Sequence, residues 1–236
     1  MKIKNPFSAL TRLEWLLWLI SLFGVSASFL LAPQKDMLSL SASCIGVTAL
    51  IFIAKGMVFG QFLTIVFSVF YGLISWHLRY YGEMITYLGM TAPMALVSMI
   101  AWLRHPYADA QEVAVNAIRP KQILFLCILT ALVTVIFYFI LRALHTARLP
   151  ISTLSVTTSF FAASLTFLRS PYYALAYACN DLVLIVMWLL AASLDSSYFS
   201  MSICFIMFLL NDIYGYYQWR NMHKRQQKAS SVAANP

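Results

Sequence analysis

Polar side chains recur inside the last two apolar segments of the chain, where lipid would disfavour them. Asn180 and Asp181 lie in the first of these segments, and Asn211 and Asp212 lie in the second. Polar groups at membrane depth usually face the interior of a helix bundle or a cavity that holds water. Amides and carboxyls there can exchange hydrogen bonds with a small ligand. These residues therefore predict half of a binding site.

Aromatic residues fall on the same helical faces as the amides. Tyr177 and Trp188 lie on the stripe of Asn180, and Tyr214 lies on the stripe of Asn211. An aromatic surface beside amides suits a flat, uncharged ligand that forms hydrogen bonds. The alternatives are amides that bridge helices and a Trp at the membrane surface. We expect Trp188 to stack on a ligand, because it lies some distance from the end of its segment.

A third polar stripe lies in an earlier apolar segment. Gln61, Thr64, Ser68, Tyr71 and Ser75 recur there at spacings of three and four residues, so they share one helical face. Packing between helices is the simpler interpretation of Ser68 and Ser75. Gln61 is different, because a primary amide in lipid needs several partners, and we expect it to face a cavity. The predicted ligand-binding residues are Gln61, Thr64, Ser68, Tyr177, Asn180, Trp188, Asn211 and Tyr214.

Carboxyl groups well inside apolar segments are confined to Asp181 and Asp212. Three interpretations stay open for them: pairing with a cation or an amide, contact with a ligand, and proton coupling. Both residues, together with Tyr217, are weaker candidates for the binding site. Glu83 follows Tyr81 and Gly82, and we expect it to cap the start of a helix.

The composition requires a membrane environment. Hydrophobic residues make up 61% of the 236 residues and charged residues 10%, against roughly 45–50% and 25% in soluble domains. The apolar segments are also about as long as a bilayer core is thick. We therefore predict an all-α polytopic membrane protein with eight transmembrane helices, at about 15–32, 37–54, 57–77, 83–103, 120–144, 149–168, 171–193 and 196–218.

The net charge of +8 reflects membrane orientation better than nucleic-acid binding, because the basic residues lie at the ends of the apolar segments. If the N-terminus is inside, twelve Lys and Arg residues lie on the cytoplasmic side and four on the outer side, so both termini are expected in the cytoplasm. The outer residues are Lys35, Arg79, Arg142 and Arg148. The inner residues are Lys2, Lys4, Arg12, Lys55, Arg104, Arg119, Lys121, Arg169, Arg220, Lys224, Arg225 and Lys228.

A weak internal repeat suggests how the helices are arranged. Residues 50–55 resemble residues 165–170, and Trp102 corresponds to Trp219. Two three-helix units in the same orientation would need one connecting helix, and such parallel repeats hold their site at the midplane. The predicted organisation is a basic segment with an extra helix, a first unit, a connection with a linker helix, a second unit, and a basic tail disordered from 226 onward. The corresponding ranges are 1–36, 37–104, 105–145, 146–220 and 221–236.

Catalytic and metal-binding motifs are absent from the sequence. We find no zinc-protease motif, no nucleophile elbow, no phosphate-binding glycine loop and no carboxylate cluster. The four cysteines lie inside apolar segments and show no metal-ligand spacing, so we expect them to pack as small hydrophobic residues. We therefore predict a protein that is not an enzyme and has no cofactor or metal.

Several segments together resemble the PnuC family of bacterial nicotinamide riboside transporters. The resemblance covers residues 37–225, and the first helix looks like the extra leading helix of some members. The closing segment is the most specific part. The segments are Gln61-Phe62, Tyr81-Gly82-Glu83, Asn180-Asp181 with Trp188, and Asn211-Asp212-Ile213-Tyr214-Gly215-Tyr216-Tyr217-Gln218-Trp219.

This resemblance implies a SWEET-like architecture and uptake of nicotinamide riboside across the inner membrane by facilitated diffusion. It also implies that a cytoplasmic kinase traps the substrate, and that the protein forms homo-oligomers, with a trimer as the expected form. The nicotinamide ring is a flat cation, on which Trp188 and Tyr177 or Tyr214 could stack. The absence of a deep Lys or Arg near the amides agrees with an unphosphorylated substrate.

Three alternatives stay open. The protein could carry another vitamin or a sugar, or it could be a binding subunit that requires an ATPase partner. A membrane-embedded enzyme is the least favoured, because catalytic groups are missing. The first helix could also be mistaken for a signal peptide, since Val25-Ser26-Ala27 offers a small-residue cleavage pattern, but its length and its Trp content favour retention.

Overall fold

The computed structural model describes residues 5–33, 36–77, 81–107, 112–146 and 148–234. Within these residues, eight helical segments are long and apolar enough to cross a membrane, and no strand is present beyond an isolated bridge between Pro106 and Val113. The predicted all-α architecture is therefore confirmed. Four basic residues of the orientation argument, Lys2, Lys4, Lys35 and Arg79, lie outside the described residues.

The helices follow the predicted segments closely. A short 3-10 turn at Pro6–Ala9 precedes the first of them, and another at Ser196–Tyr198 precedes the last. One predicted span is a composite of two α-helices joined by a π-helical stretch at Tyr87–Thr91. The α-helices are α1 (Arg12–Leu31), α2 (Met37–Ala54), α3 (Val58–His77), α4 (Tyr81–Thr86), α5 (Ala92–Leu103), α6 (Pro120–Ala143), α7 (Leu149–Phe167), α8 (Tyr173–Ala192) and α9 (Phe199–Ala234).

Local sequence explains several helix boundaries. Thr11 caps α1 in a capping box, in which its hydroxyl accepts from the Glu14 amide and the Glu14 carboxylate accepts from the Thr11 amide. Asp36 caps α2 by accepting from the amides of Leu38 and Ser39. Proline lies in the first turn of α6 and of α7, where the missing amide hydrogen costs nothing. These signals are local, so they act before any helix packs.

The two most peripheral helices are α1 and α6. Helix α1 packs against α2 and α9, and α6 packs against α7. Between them, α2 packs with α3 and α9, α5 packs with α3 and α7, and α8 packs with α7 and α9. This arrangement fits an extra helix, two units and a linker, although the repeat itself stays a prediction.

The predicted disordered tail is wrong for the described residues. Helix α9 continues past the membrane segment to Ala234. It is held there because Met222 and Gln226 are buried against the segment that follows α5, and Arg225 forms an ion pair with Glu112. The described residues of the connection between α5 and α6 contain no helix that could span a membrane. Val113 of this connection is buried rather than lying on a surface.

Candidate functional site

A cavity of about 540 Å³ lies between α2, α3, α4–α5, α7, α8 and α9. At one end its lining residues are exposed, and we call this end the rim, defined by Tyr81, His145, Arg148 and Leu194. From the rim the cavity descends to side chains that are almost fully buried. The volume lies within the range of pockets that enclose small organic ligands.

Most of the predicted ligand-binding residues meet in this cavity. Helix α3 contributes two of them, and α8 contributes three that share one face, together with the weaker candidate Asp181. Helix α9 contributes the other weaker candidate, Asp212. The predicted residues that line the cavity are Gln61, Thr64, Tyr177, Asn180, Asp181, Trp188 and Asp212.

Four predicted residues do not line the cavity. Asn211 donates to the Ser21 hydroxyl of α1 at 2.8 Å, and Tyr214 donates to Glu14 of α1 at 2.7 Å. Ser68 is buried and donates to the Thr64 carbonyl of its own helix, as the packing alternative predicted. Tyr217 is exposed. The stripe of α9 therefore faces α1 instead of the cavity.

A buried polar cluster explains why α1 occupies that face of α9. The Glu14 carboxylate is fully buried, and it accepts from Tyr214 and pairs with Lys55 at 3.2 Å. About two turns from Tyr214 along α9, Met207 packs so closely on Gly24 of α1 that an added Cβ would lie 3.1 Å from its terminal carbon. A buried carboxylate requires such partners, and α9 and the residue that ends α2 supply two of them in addition to the Thr11 amide.

The Asn180 amide is oriented by hydroxyl groups of α7. Its Oδ1 accepts from Thr158 at 2.7 Å and from Ser159 at 3.0 Å. These two bonds fill the acceptor capacity of the amide oxygen and leave the amino group, a donor of two hydrogens, for the cavity. Sequence analysis did not identify Thr158 or Ser159 as the groups that orient this amide.

Four polar atoms that belong to cavity-lining residues lack a hydrogen-bond partner among the described residues. Thr146 Oγ1 is one of them, next to the rim residue His145. The other three lie on α3 and α8. They are Gln61 Nε2, Asp181 Oδ2 and Trp188 Nε1. Gln61 and Asp181 are each 2% exposed, and Trp188 is 8% exposed. Buried polar groups are nearly always satisfied in proteins, so these atoms define two donors and one acceptor for a bound molecule.

The carboxyl groups of Asp181 on α8 and Asp212 on α9 both line the cavity and are almost fully buried. Within the described residues, neither carboxyl forms an ion pair with a Lys, Arg or His. Of the three interpretations of these residues, pairing with a cation therefore finds no partner among the described residues.

Further cavity residues were missed by sequence analysis. Glu83 lies in the first turn of α4, as predicted, but it also lines the cavity. The π-helical stretch shifts the face that follows it, and such stretches are frequent at functional sites. The helical spacing of polar residues, which singled out Gln61 in the sequence, also marks two further polar stripes that line the cavity. The residues on these stripes are Tyr87, Thr91 and Ser98, and Ser152, Ser155, Ser159 and Thr166.

Two buried tryptophans close the cavity at the end opposite the rim, which we call the closed end. Trp102 and Trp219 lie 5.3 Å apart by their ring centroids, and Trp219 packs edge-on against Tyr173, which lines the cavity. The Trp102 indole donates to the Thr166 carbonyl at 3.0 Å, and the Trp219 indole donates to the Ile53 carbonyl at 2.9 Å.

The carbonyls that accept from these indoles occupy matching positions at the ends of α2 and α7. The Gly56 amide donates to the Ile53 carbonyl, and the Arg169 amide donates to the Thr166 carbonyl. Gly56 and Arg169 both have positive φ, of 68° and 58°. Each tryptophan thus ties the last helix of one predicted unit to the first helix of the other.

Residues 113–116 form an extended segment, which we call the strap, and it covers the closed end on the side away from the cavity. The Val113 amide donates to the Gly56 carbonyl, and the Asn116 amide donates to the Arg169 carbonyl. Gln226 of α9 then fastens this strap, since it accepts from the Val115 amide and donates to the Val113 carbonyl. The closed end is therefore covered twice, first by the indoles of Trp102 and Trp219 and then by the backbone of the strap.

The described residues of the site include no cluster of metal ligands. No group of three or more His, Cys, Asp or Glu side chains in this part of the chain could hold a metal ion. The four cysteines are free, although Cys127 and Cys179 are exposed rather than packed inside.

A family model described as "Nicotinamide mononucleotide transporter" matches residues 36–221. Two similar proteins are each named "Nicotinamide riboside transporter PnuC". The one from Neisseria mucosa is 23% identical over 227 residues, which cover 94% of this chain and 86% of that protein. The one from Haemophilus influenzae is 24% identical over 227 residues, which cover 95% and 97%.

A solved structure with a similar fold is described as "Crystal structure of the Vitamin B3 transporter PnuC". It superposes with a TM-score of 0.76 at 23% identity, and the match covers 92% of this chain and 94% of that chain. This similarity extends over nearly the whole helical arrangement described above.

Proposed function

This chain belongs to the nicotinamide mononucleotide transporter family of membrane proteins, and we propose that it takes up nicotinamide riboside across the bacterial inner membrane. The observation that carries the proposal is the set of unsatisfied atoms on Gln61, Asp181 and Trp188 inside one cavity. The names of the two similar proteins point to the same substrate.

The cavity offers the groups that such a ligand needs. Trp188 lies against Tyr198 with ring centroids 5.6 Å apart, and its indole face can stack on a flat pyridinium ring. The carboxamide of the ligand can accept from Gln61 or Asn180, and ribose hydroxyls can bond with Thr64. These roles rest on residues that line the same cavity from α3 and α8.

The charge distribution favours the riboside over its phosphate. Of the described residues that line the cavity, Arg148 is the sole Lys or Arg, and it lies at the exposed rim. A phosphate group held deep in the cavity would require a cation beside it. The buried part of the cavity instead holds the carboxyl groups of Asp181 and Asp212, which offer a phosphate no positive charge.

We propose that transport proceeds by alternating access and without an ion gradient. In the described conformation the cavity reaches the surface at the rim and is blocked at the closed end. Rocking of units 37–104 and 146–220 would exchange these two states. With both termini in the cytoplasm, the closed end faces the cytoplasm, where phosphorylation by a kinase would trap the substrate.

Homo-oligomer formation, with a trimer as the expected form, is a further part of the proposal. Most of α6 outside its contact with α7 is apolar and exposed, including Leu124, Phe125 and Phe139. Such a face can contact lipid or a second copy. Native mass spectrometry of detergent-solubilised protein would give the subunit count directly.

Transport by the purified protein alone in liposomes tests the function. We expect uptake of labelled nicotinamide riboside down its gradient, with no ATP, and little uptake of the mononucleotide. Trp188→Ala should reduce uptake strongly, whereas Trp76→Ala, at an exposed site outside the cavity, should not. Uptake that requires an added ATPase would instead support the binding-subunit alternative, and uptake of thiamine or a sugar alone would change the substrate.

A further inference from the structure

Two hydroxyl groups of α7 hold the Asn180 amide of α8 between them. Ser159, which lines the cavity, donates to Asn180 Oδ1 at 3.0 Å. Thr158, which lines a separate groove between α6, α7 and α8, donates to the same oxygen at 2.7 Å. Asn180 is 4% exposed. Its amide therefore depends on these hydroxyls, rather than on water, for the partners of its oxygen.

The hydrogen-bond pattern determines which end of the amide faces the cavity. The Ser159 hydroxyl forms no other hydrogen bond among the described residues. If the amide were reversed, its amino group would donate to Ser159, and the serine hydrogen would lose this acceptor. The Thr158 hydroxyl is more adaptable, because the carbonyls of Leu154 and Ser155 lie 3.0 Å and 3.1 Å from it. Ser159 therefore sets the orientation of the Asn180 amide, and Thr158 reinforces it.

With its oxygen occupied, Asn180 presents a donor to the cavity. Its amino group forms no hydrogen bond within the described part of the chain. Gln61 Nε2 and Trp188 Nε1 are likewise donors without a partner there, and both residues line the same cavity. A donor that stays unpaired in a buried site costs free energy. A bound molecule that offers acceptors to these donors is therefore favoured.

We propose that Ser159 and Thr158 are positioning residues, which keep the Asn180 amide donating into the cavity and thereby make a carbonyl acceptor on the ligand's ring a requirement for tight binding. This inference rests on the proposed function, in which the carboxamide carbonyl of nicotinamide riboside is that acceptor. It goes beyond the proposed function because it assigns part of the specificity to two hydroxyls that act through Asn180. A site built around an oriented donor rejects an analogue without the acceptor, since the donor is then left unpaired.

Three ribosides with the same cationic ring test the requirement for an acceptor. Nicotinamide riboside carries a carbonyl and an amino group, 3-acetylpyridine riboside carries the carbonyl alone, and 3-isopropenylpyridine riboside has the same shape with neither. We expect purified wild-type protein to bind the first two within about threefold of each other and the third at least about tenfold more weakly, measured by calorimetry. Equal binding of the acetyl and isopropenyl ribosides by wild type would overturn the inference.

Substitutions at the two hydroxyls separate positioning from packing. In the double variant Ser159→Ala with Thr158→Val, the Asn180 oxygen loses both donors and the amide can turn. The ratio of acetyl to isopropenyl affinity should then fall to within about threefold, through weaker binding of the acetyl riboside alone. Thr158→Ser keeps its hydroxyl and should keep the wild-type ratio. Thr157→Val is the matched control, because the Thr157 hydroxyl bonds to Thr134 of α6 and not to Asn180.

The outcomes distinguish this inference from the proposed function. A merely structural role would weaken the binding of all three ribosides alike, so a folded double variant that keeps the ratio overturns the inference alone. If the double variant does not elute as folded protein, the single variants decide, and Ser159→Ala should lower the ratio more than Thr158→Val. A wild-type ratio in both single variants would overturn the inference. Wild-type protein that transports no riboside and binds none of the three overturns the proposed function, and this inference with it.

Discussion

The rim and the closed end of the cavity are held by different kinds of contact. At the rim the lining residues are exposed, and a described link there is the bond from the exposed Arg148 guanidinium to the Leu190 carbonyl. At the closed end, buried indoles donate to the helix-end carbonyls of Ile53 and Thr166. Directional bonds shielded from water are costly to break, so the closed end resists opening far more than the rim resists closing.

Polar contacts also accumulate outside the closed end. The strap is fastened by Gln226, and α1 is joined to α2 and α9 through Glu14, Lys55 and Tyr214. On the rim side, Ser200 at the start of α9 donates to the Ser28 carbonyl near the end of α1, and Arg148 donates to the Leu190 carbonyl. This difference indicates that the described conformation is stabilised chiefly by contacts at the closed end. Four sets of substitutions should show how much each contact contributes to stability.

The largest loss of stability is expected for Glu14→Ala, which removes a buried carboxylate and leaves Lys55 and Tyr214 without their shared partner. Breaking a fully buried ion pair costs about 3–5 kcal/mol. Because the Lys55 side chain is 18% exposed, we expect about 2–4 kcal/mol. Thermal unfolding in detergent measures the loss, and Glu14→Gln, which can still accept from Tyr214, should lose less. Equal stability of wild type and Glu14→Ala would show that α1 does not support the closed end.

The next largest effect is expected for Trp102→Phe and Trp219→Phe, which keep an aromatic ring but remove the indole donor. Each removes one of the hydrogen bonds to a helix-end carbonyl, which keeps its bond from the Gly56 or Arg169 amide, and each leaves space where the larger indole packed. The two losses together should cost about 1–3 kcal/mol. Hydrogen exchange should accelerate at the ends of α2 and α7 and not at the rim. Trp76→Phe, at an exposed indole, is the control. If exchange rises equally at both ends, the contrast between them is wrong.

A smaller effect is expected for Gln226→Ala, which frees the strap. The side chain makes two bonds to strap backbone, and we expect a loss of about 0.5–1.5 kcal/mol. Exchange at residues 113–116 should rise while the ends of α2 and α7 stay protected by their indoles. The neighbouring Lys224→Ala, at an exposed position, is the matched control. Unchanged exchange in the strap would mean that other contacts hold it.

The smallest effect is expected at the rim. Arg148→Gln removes an exposed bond to the Leu190 carbonyl, and surface changes of this kind usually stay within about 0.5 kcal/mol. Stability and exchange at the closed end should match wild type. A loss as large as that of the tryptophan variants would mean that the rim also stabilises this conformation.

The fold was largely predictable, because length and hydropathy determine how many helices can cross a bilayer. The eight predicted segments agree with the eight candidate spans found among the described residues. The helical tail was not predictable in the same way. Its sequence is polar, and it is ordered through Gln226 and Arg225, whose partners lie more than a hundred residues earlier in the chain.

The candidate site was predicted unevenly, and α8 and α9 show why. Tyr177, Asn180 and Trp188 share a face of α8 that does line the cavity. On α9 the stripe of Asn211 was chosen, yet its neighbour Asp212 lines the cavity while Asn211 bonds to α1. Adjacent residues on a helix point about 100° apart, so choosing the wrong stripe exchanged one residue for the next.

The sequence by itself determined the membrane class, the helix count and the positions of polar groups within each helix. Helical periodicity also determined which of those groups share a face. Only the tertiary structure decided which face meets the cavity and which meets α1. The physical reason is that lipid and the packed interior are both apolar, so a membrane helix carries little sequence signal for which side turns inward.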